Sequence, residues 1–186
     1  TSAHHVSSLG FSRPEQLTYA DSTTPWVLSQ LATKTINGAE AVRVTYDPAT
    51  AMPLQYRAYE VLKETRTYRA DGTLETTKDA KNQITTYLDW YRSTPREVRY
   101  HDNSRIEAEL DANGWITSTT DERDRITGYD YDEMGRLELI TPPDNPDGPA
   151  WDPTSLEFIR NPAPAYGLDA NAHWRQRLTK GTYRQD

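Results

Sequence analysis

The feature that most restricts how this chain can fold is a short pattern written several times. Asp, two arbitrary residues, a Gly-like residue, one more residue and then an aliphatic residue recur as Asp79-Ala-Lys-Asn82-Gln-Ile84, Asp111-Ala-Asn-Gly114-Trp-Ile116, Asp121-Glu-Arg-Asp124-Arg-Ile126 and Asp132-Glu-Met-Gly135-Arg-Leu137. Arg69-Ala-Asp-Gly72-Thr-Leu74 and His101-Asp-Asn-Ser104-Arg-Ile106 keep the spacing without the leading Asp. First positions fall at 69, 79, 101, 111, 121 and 132, and Asp89-Trp90-Tyr91-Arg92-Ser93 occupies the gap left by a missing copy. A self-similarity of this kind decides the architecture before any other reading does.

The residue types explain the spacing. An Asp carboxylate accepts a hydrogen bond from the amide two residues on and so starts a turn, while Gly, Asn and Asp tolerate the left-handed backbone needed at the fourth position. Together they predict a type I turn followed by a left-handed residue, a common hairpin connection. Between the turns lie short runs rich in β-branched and aromatic residues, such as Ile84-Thr-Thr-Tyr-Leu88 and Leu137-Glu-Leu-Ile-Thr141, which predict strands of about six residues. The expected fold is all-β, with antiparallel hairpin repeats forming a curved ribbon. Tyr129 and Tyr131 fall out of phase with Ile126, so a bulge is expected near Gly128.

Composition agrees with thin layers. Only 35% of the residues are hydrophobic, and of the aromatics 12 are Tyr, 5 Trp and 2 Phe, so most large side chains carry a polar tip suited to a wet boundary. A net charge of −7 disfavours nucleic acid, which is held by clustered Lys and Arg. No apolar run reaches the 18 or so residues that a membrane-spanning helix needs, so no membrane insertion is expected. The chain shows no secretory-signal pattern at Thr1 to Ser12 and has no cysteine, which removes disulfides and thiolate metal sites without fixing a compartment.

Organisation follows from these signals. Residues 1–40 read as a lead-in, irregular or in short strands, in which Pro25-Trp26-Val-Leu-Ser-Gln-Leu31 is an early strand or a short helix. Residues 41–141 carry the repeats, with Tyr46-Asp47-Pro48 an earlier, decayed copy. Residues 142–150 form a proline-rich loop that cannot be a central strand and could block an open edge. Residues 151–186 read as strands or a short extension, His173 to Leu178 being ambiguous between strand and helical turns.

Catalytic and metal chemistry find little support. His4-His5 point opposite ways on a strand and read as a flexible terminus, and no H-x-H or H-E-x-x-H spacing exists. His101 and His173 lack a nucleophile motif, and no serine has a G-x-S-x-G context. The repeating aspartates recur at one turn position, as structural caps do, and one carboxylate per turn falls short of the six to eight oxygens that calcium takes. No catalytic residue, metal site or cofactor is expected. Arg136 is expected to pair with Asp132 or Glu138. Trp90, Tyr91 and Trp115 could stack on sugar rings, which leaves a carbohydrate-binding or adhesive module as an alternative to their use as packing.

The stretch Gly128-Tyr129-Asp130-Tyr131-Asp132 leading to Gly135-Arg136-Leu137 resembles the Rhs or YD-repeat family, and Asp111-Ala-Asn-Gly-Trp115-Ile-Thr-Ser118, Asp89-Trp-Tyr-Arg92 and Ala165-Tyr-Gly-Leu168 with His173-Trp-Arg-Gln176 resemble bacterial Rhs core sequence. The resemblance implies a segment of a β-shell or barrel that encloses a toxin or effector, secreted or at the bacterial cell surface, or of an adhesive extracellular barrel. Its implied partners are flanking repeats, the chain itself through open sheet edges, and the enclosed cargo. The family's terminal self-cleavage motif and a toxin after it are absent from these residues.

Overall fold

A computed structural model describes residues 2–6, 10, 12–161, 173–181 and 183–185, with side chains described for 10, 12–159 and 175–181. Sixteen strands account for nearly all of it: β1 Ser2–Val6, β2 Ser12–Ser22, β3 Val27–Ile36, β4 Ala39–Tyr46, β5 Pro53–Ala58, β6 Val61–Tyr68, β7 Leu74–Asp79, β8 Ile84–Tyr91, β9 Thr94–Arg99, β10 Arg105–Leu110, β11 Ile116–Thr120, β12 Ile126–Tyr131, β13 Leu137–Thr141, β14 Thr154–Asn161, β15 His173–Lys180 and β16 Tyr183–Gln185. No helix occurs among the described residues. The strands follow strict chain order in one open sheet of antiparallel ladders. The fold is all-β and built from consecutive hairpins, as the repeat implies.

Residues 1–87 with 100–103 form one compact unit, and 88–99 with 104–186 form a second. In neither does a deep core appear. Among the described residues only Ala41 and Ala51 are buried. Stability must therefore come from ladder hydrogen bonds and half-buried contacts passed from each strand to the next, as in repeat proteins generally.

In the second unit the two faces differ. Register places Ile106 opposite Val98, Ala108 opposite Thr119, and Tyr129 opposite Ile140, so over β9 to β13 these positions of one face carry apolar or threonine side chains, while the same side of β14 and β15 adds Gln176 and Lys180. The alternate positions bring Arg105 opposite Arg99 and Glu107 opposite Glu97. Like charges facing each other across a ladder would be destabilising. Each is instead neutralised along its own strand, Arg99 by Glu97 at 2.5 Å and Arg105 by Glu107 at 3.1 Å.

Several expectations are corrected. Residues 12–36 are not irregular or in short strands but form strands of 11 and 10 residues. Asn37-Gly38 connects β3 to β4 with both residues left-handed, at φ 51° and 79°, the two-residue turn that such a dipeptide favours. Of the two alternatives for Pro25 to Leu31 the strand is found, Val27 to Leu31 lying in β3 with Trp26 in the turn before it. His4-His5 lie in β1, paired with Arg13 and Pro14 of β2, so the terminus is a strand; their side chains lie outside the described residues. The bulge expected at Gly128 sits instead between Asp130 and Tyr131. His173 to Leu178 lie in a strand. The proline run connects β13 to β14, which pair directly with Leu139 opposite Ser155, so it is a loop inside the sheet and blocks no open edge. Ala165 to Leu168 lie outside the described residues.

Candidate functional site: a ladder of turns

Four aspartates make the same turn. At Asp132 the N–H donates to the Arg136 carbonyl at 2.9 Å, and the Gly135 N–H donates back to the Asp132 carbonyl at 2.9 Å. The carboxylate Oδ1 accepts from the amides of Met134 and Arg136, both at 2.9 Å. The same four bonds recur at Asp79, Asp111 and Asp121, with the left-handed residue Asn82, Gly114 or Asp124 in fourth place. This is a type I turn closed by a left-handed residue in a G1-type bulge. One oxygen of each Asp thus satisfies two amides that the ladder leaves over.

These bonds act on the carboxyl groups. Hydrogen bonds from Arg125, first from its guanidinium and then from its backbone, pull Asp121 down to about 2. Asp132 is lowered in the same way, chiefly by the Arg136 side chain, whose guanidinium reaches Oδ2 at 2.6 Å and lies 4.4 Å over the Phe158 ring. At Asp111 desolvation pushes upward, but amide bonds from Trp115 and Asn113 outweigh it and the net shift is downward.

The irregular copies solve the same problem differently. At Arg69 the backbone bonds are retained, and the carboxylate comes from Asp71, which accepts from the Thr73 amide and hydroxyl at 2.9 and 2.7 Å. Asp47 makes a longer loop, accepting from the amides of Ala49 and Thr50 while its backbone bonds to Ala51 and Met52. At His101 the turn shifts by one residue: Asn103, not Ser104, is left-handed, and its N–H donates to the Tyr100 carbonyl. The missing copy is a two-residue connection in which Arg92 and Ser93 are both left-handed, at φ 46° and 68°.

The two ends of the strands are not equivalent. In the repeat turns after β6, β10 and β12 the left-handed residue is Gly72, Gly114 and Gly135, and each lies against a side chain from the preceding turn at that end. A Cβ on Gly72 would stand 2.9 Å from Met52 Cε, one on Gly114 2.9 Å from Arg92 Cδ, and one on Gly135 2.4 Å from Trp115 Cζ2. Those glycines are required twice, by φ and by a neighbour. In the repeat turns after β7, β9 and β11 the left-handed residue is Asn82, Asn103 and Asp124, although Gly38 after β3 and Gly181 after β15 are left-handed glycines too. The aliphatic closing residue divides less cleanly: Ile84 and Ile126 are 46% and 58% exposed, whereas Leu74, Ile116 and Leu137, and also Ile106 after β9, are half-buried.

Tyrosines join the same turns. Tyr46, Tyr68 and Tyr131 each end an even-numbered strand, just before its turn, and each hydroxyl donates to the backbone carbonyl 15 residues upstream: Leu31 at 2.8 Å, Pro53 at 2.8 Å and Ile116 at 2.9 Å. The accepting carbonyl lies on the neighbouring strand, and at Pro53 and Ile116 it is that strand's first residue. The Tyr68 and Tyr131 phenols therefore tie one turn to the next at that end, and Tyr46 ties its turn to the middle of β3. Burial raises the Tyr46 and Tyr131 pKa values.

Of the three candidate sugar-stacking residues, Trp115 packs on Tyr131 with ring centroids 5.4 Å apart and covers Gly135. Tyr91 has the Arg92 and Arg96 guanidinium groups at 5.8 and 6.0 Å from its ring centre. Trp90 is engaged in a contact of its own. The Tyr91 hydroxyl donates to the Ala112 carbonyl at 3.4 Å, in the turn that leads to Trp115. The apolar face of the second unit does form a shallow open depression of about 430 Å³, lined by Thr94, Arg96, Val98, Ile106, Ala108 and Thr119 among others.

The turns, the joining tyrosines and the chain-ordered sheet define a hairpin-repeat protein of antiparallel β type. Residues 111–147 match the RHS repeat family. Among solved structures, the crystal structure of TcdB2-TccC3-Cdc42 is similar over 96% of this chain at 16% identity and a TM-score of 0.50. That of TcdB2-TccC3 without its hypervariable C-terminal region is similar over 84% at 15% identity and a TM-score of 0.51. These likenesses are of fold, and the chain spans only 10% of the length of either. No curated protein matches the chain.

Proposed function

We propose that this chain is a non-catalytic wall segment of an Rhs or YD-repeat protein, contributing hairpins to a β-shell that encloses or presents a toxin or effector in bacterial competition, outside the cell or at its surface. The observation that carries the reading is the combination of a single-layer sheet, only two buried residues among those described, and turns tied to their neighbours at one strand end. A sheet built this way gains by extension: each added hairpin satisfies the ladder of the one before it. The charged face of the second unit suits water, and its apolar face suits a covered interior. The turn aspartates are committed to backbone amides, and Asp121 and Asp132 to arginines as well, which leaves them poorly placed for acid or base work.

The test is protease challenge of a polypeptide that carries this segment together with its flanking sequence. Enclosure predicts that the cargo region resists digestion until the wall is opened, and that Gly135→Trp, which drives a bulky ring against Trp115, speeds cargo cleavage. Equal cleavage rates in the parent and the variant, with the variant's turn shown to be disrupted, would overturn the reading.

A further inference from the structure

Two Asn-Gly pairs occur in the chain, Asn37-Gly38 and Asn113-Gly114, and they sit in different kinds of turn. In such a pair the following backbone nitrogen reaches the asparagine side-chain carbonyl carbon with least hindrance, because glycine has no Cβ. Whether it does so depends on what holds the two groups.

At Asn113-Gly114, in an aspartate turn, both are held. The Gly114 N–H donates to the Asp111 carbonyl at 3.0 Å, and the Asn113 side-chain nitrogen donates to Asp111 Oδ2 at 3.2 Å. The Arg92 side chain also lies 2.9 Å from where a Cβ on Gly114 would stand. Asn37-Gly38 is instead the centre of the two-residue turn from β3 to β4, with Ile36 opposite Ala39. Its approach is fixed, since the Asn37 N–H donates to the Pro14 carbonyl of β2 at 3.0 Å. Among the described residues, however, neither the Gly38 N–H nor the Asn37 side chain has a hydrogen-bond partner. Both residues are exposed, and nothing stands within 4 Å of a Cβ built on Gly38. The peptide between them can therefore rotate inside the turn without breaking a ladder bond. Of the other described asparagines, Asn145 and Asn161 precede proline, which has no N–H. Asn82 precedes Gln83, whose amide is held by Asp79 at 2.9 Å, and Asn103 precedes Ser104, whose Cβ crowds the approach.

We propose that Asn37 is a self-modifying site, converted in the folded chain to aspartate and isoaspartate, and that the isoaspartyl form loosens the hairpin of β3 and β4. The Gly38 nitrogen attacks Asn37 Cγ and gives up its proton, the Cγ–Nδ2 bond breaks, and ammonia leaves behind a cyclic imide. Water then opens the imide. Breaking the new bond to Cγ yields aspartate, whereas breaking the original peptide bond leaves the chain running through Cβ and Cγ. Both products add one negative charge to a chain of net charge −7. The second also inserts a methylene into a two-residue connection whose length and positive φ values set Ile36 opposite Ala39 and Thr35 opposite Glu40, and register in a hairpin is fixed by its turn.

The test uses the 186-residue chain, incubated at mildly alkaline pH with and without urea and then digested at mildly acidic pH. Mass spectrometry reads the amide-to-acid mass gain in the peptides that carry Asn37 and Asn113. In the folded chain Asn37 converts faster by about tenfold or more, because the two bonds that hold Asn113 and Gly114 must first break. In urea, where neither turn persists, the two rates converge. Equal or faster conversion at Asn113 in the folded chain overturns the proposal, as does an Asn37 that converts only in urea. Ion exchange then separates the more acidic products. The isoaspartyl fraction melts below Asn37→Asp, which carries the same added charge on an ordinary backbone; identical melting of the two overturns the loosening of the hairpin.

Discussion

Trp115 and Gly135 sit on consecutive turns at the same strand end, and the indole occupies the space that a side chain at 135 would need, 2.4 Å from an ideal Cβ. Gly135 also has φ 76°. Gly135→Ala therefore meets two penalties, a left-handed backbone and a displaced ring, together about 2–4 kcal/mol. Asp124 holds the equivalent place after an odd-numbered strand with φ 59°. Asp124→Gly should change stability by no more than about 1 kcal/mol, because only backbone strain and chain entropy alter there. Chemical denaturation of the two variants checks the contrast, and adding Trp115→Ala to Gly135→Ala should cost less than the sum of the single changes.

Removing a single hydroxyl tests the tyrosine ties. Tyr131→Phe keeps the ring against Trp115 and leaves the Ile116 carbonyl without its 2.9 Å donor, a loss of about 0.5–1.5 kcal/mol. Tyr46→Phe should cost a similar amount through Leu31. Both phenols have raised pKa values from burial, so in the unfolded chain they ionise first. Their contribution is complete below the unfolded value, near 10, and fades as pH rises through the folded value. Absorbance titration of the parent against Tyr131→Phe shows whether the missing phenol is one that titrates late.

The aspartate turns set the acid limit. Asp121 is held at about 2, and Asp47, Asp71, Asp111 and Asp132 are also lowered. A carboxylate with a lowered folded pKa stabilises above its unfolded value, about 3.9, and loses that contribution as pH falls through the folded value. Circular dichroism should therefore show the sheet intact at pH 5 and melting between about pH 4 and 2. Asp121→Asn should be less stable at neutral pH and should flatten the lower part of that acid transition. An unchanged profile would count against Asp121 as a contributor.

How much of this was legible follows from what each residue type reveals. Asp and Gly at fixed offsets announce a turn because few other residues satisfy its amides and its φ, so the all-β hairpin architecture was readable. Asn37-Gly38 carried the same information in two letters and reveals the hairpin of β3 and β4 inside what reads as an irregular lead-in. Tyr59-Glu60 carried none: both residues are left-handed, at φ 48° and 64°, in a two-residue turn that their side chains give no reason to expect. The inequality of the strand ends was present as a choice of Gly against Asn or Asp. It looks like decay of a motif until Met52, Arg92 and Trp115 are seen lying on the glycines. The tyrosine ties need a partner that is a backbone carbonyl, which has no sequence signature.

That inequality makes deletions directional. Removing residues 111–131 takes out one turn of each kind with β11 and β12, and joins Leu110, at the end of an even-numbered strand, to Asp132, which begins a turn of the same end. Gly135 then stands where Gly114 stood, next to Arg92. Removing 111–120 takes out one turn and one strand, so Leu110 meets Asp121 and every later turn changes ends. Asp124, with a side chain, would then face Arg92 where Gly114 left room, and Tyr131 would lose the Ile116 carbonyl to which it is tied. The first deletion should keep a cooperative thermal transition. The second should lower the midpoint further or abolish cooperativity, although it removes fewer residues. Equal melting of the two would show that the strand ends are interchangeable and that the stacked glycines carry no register information.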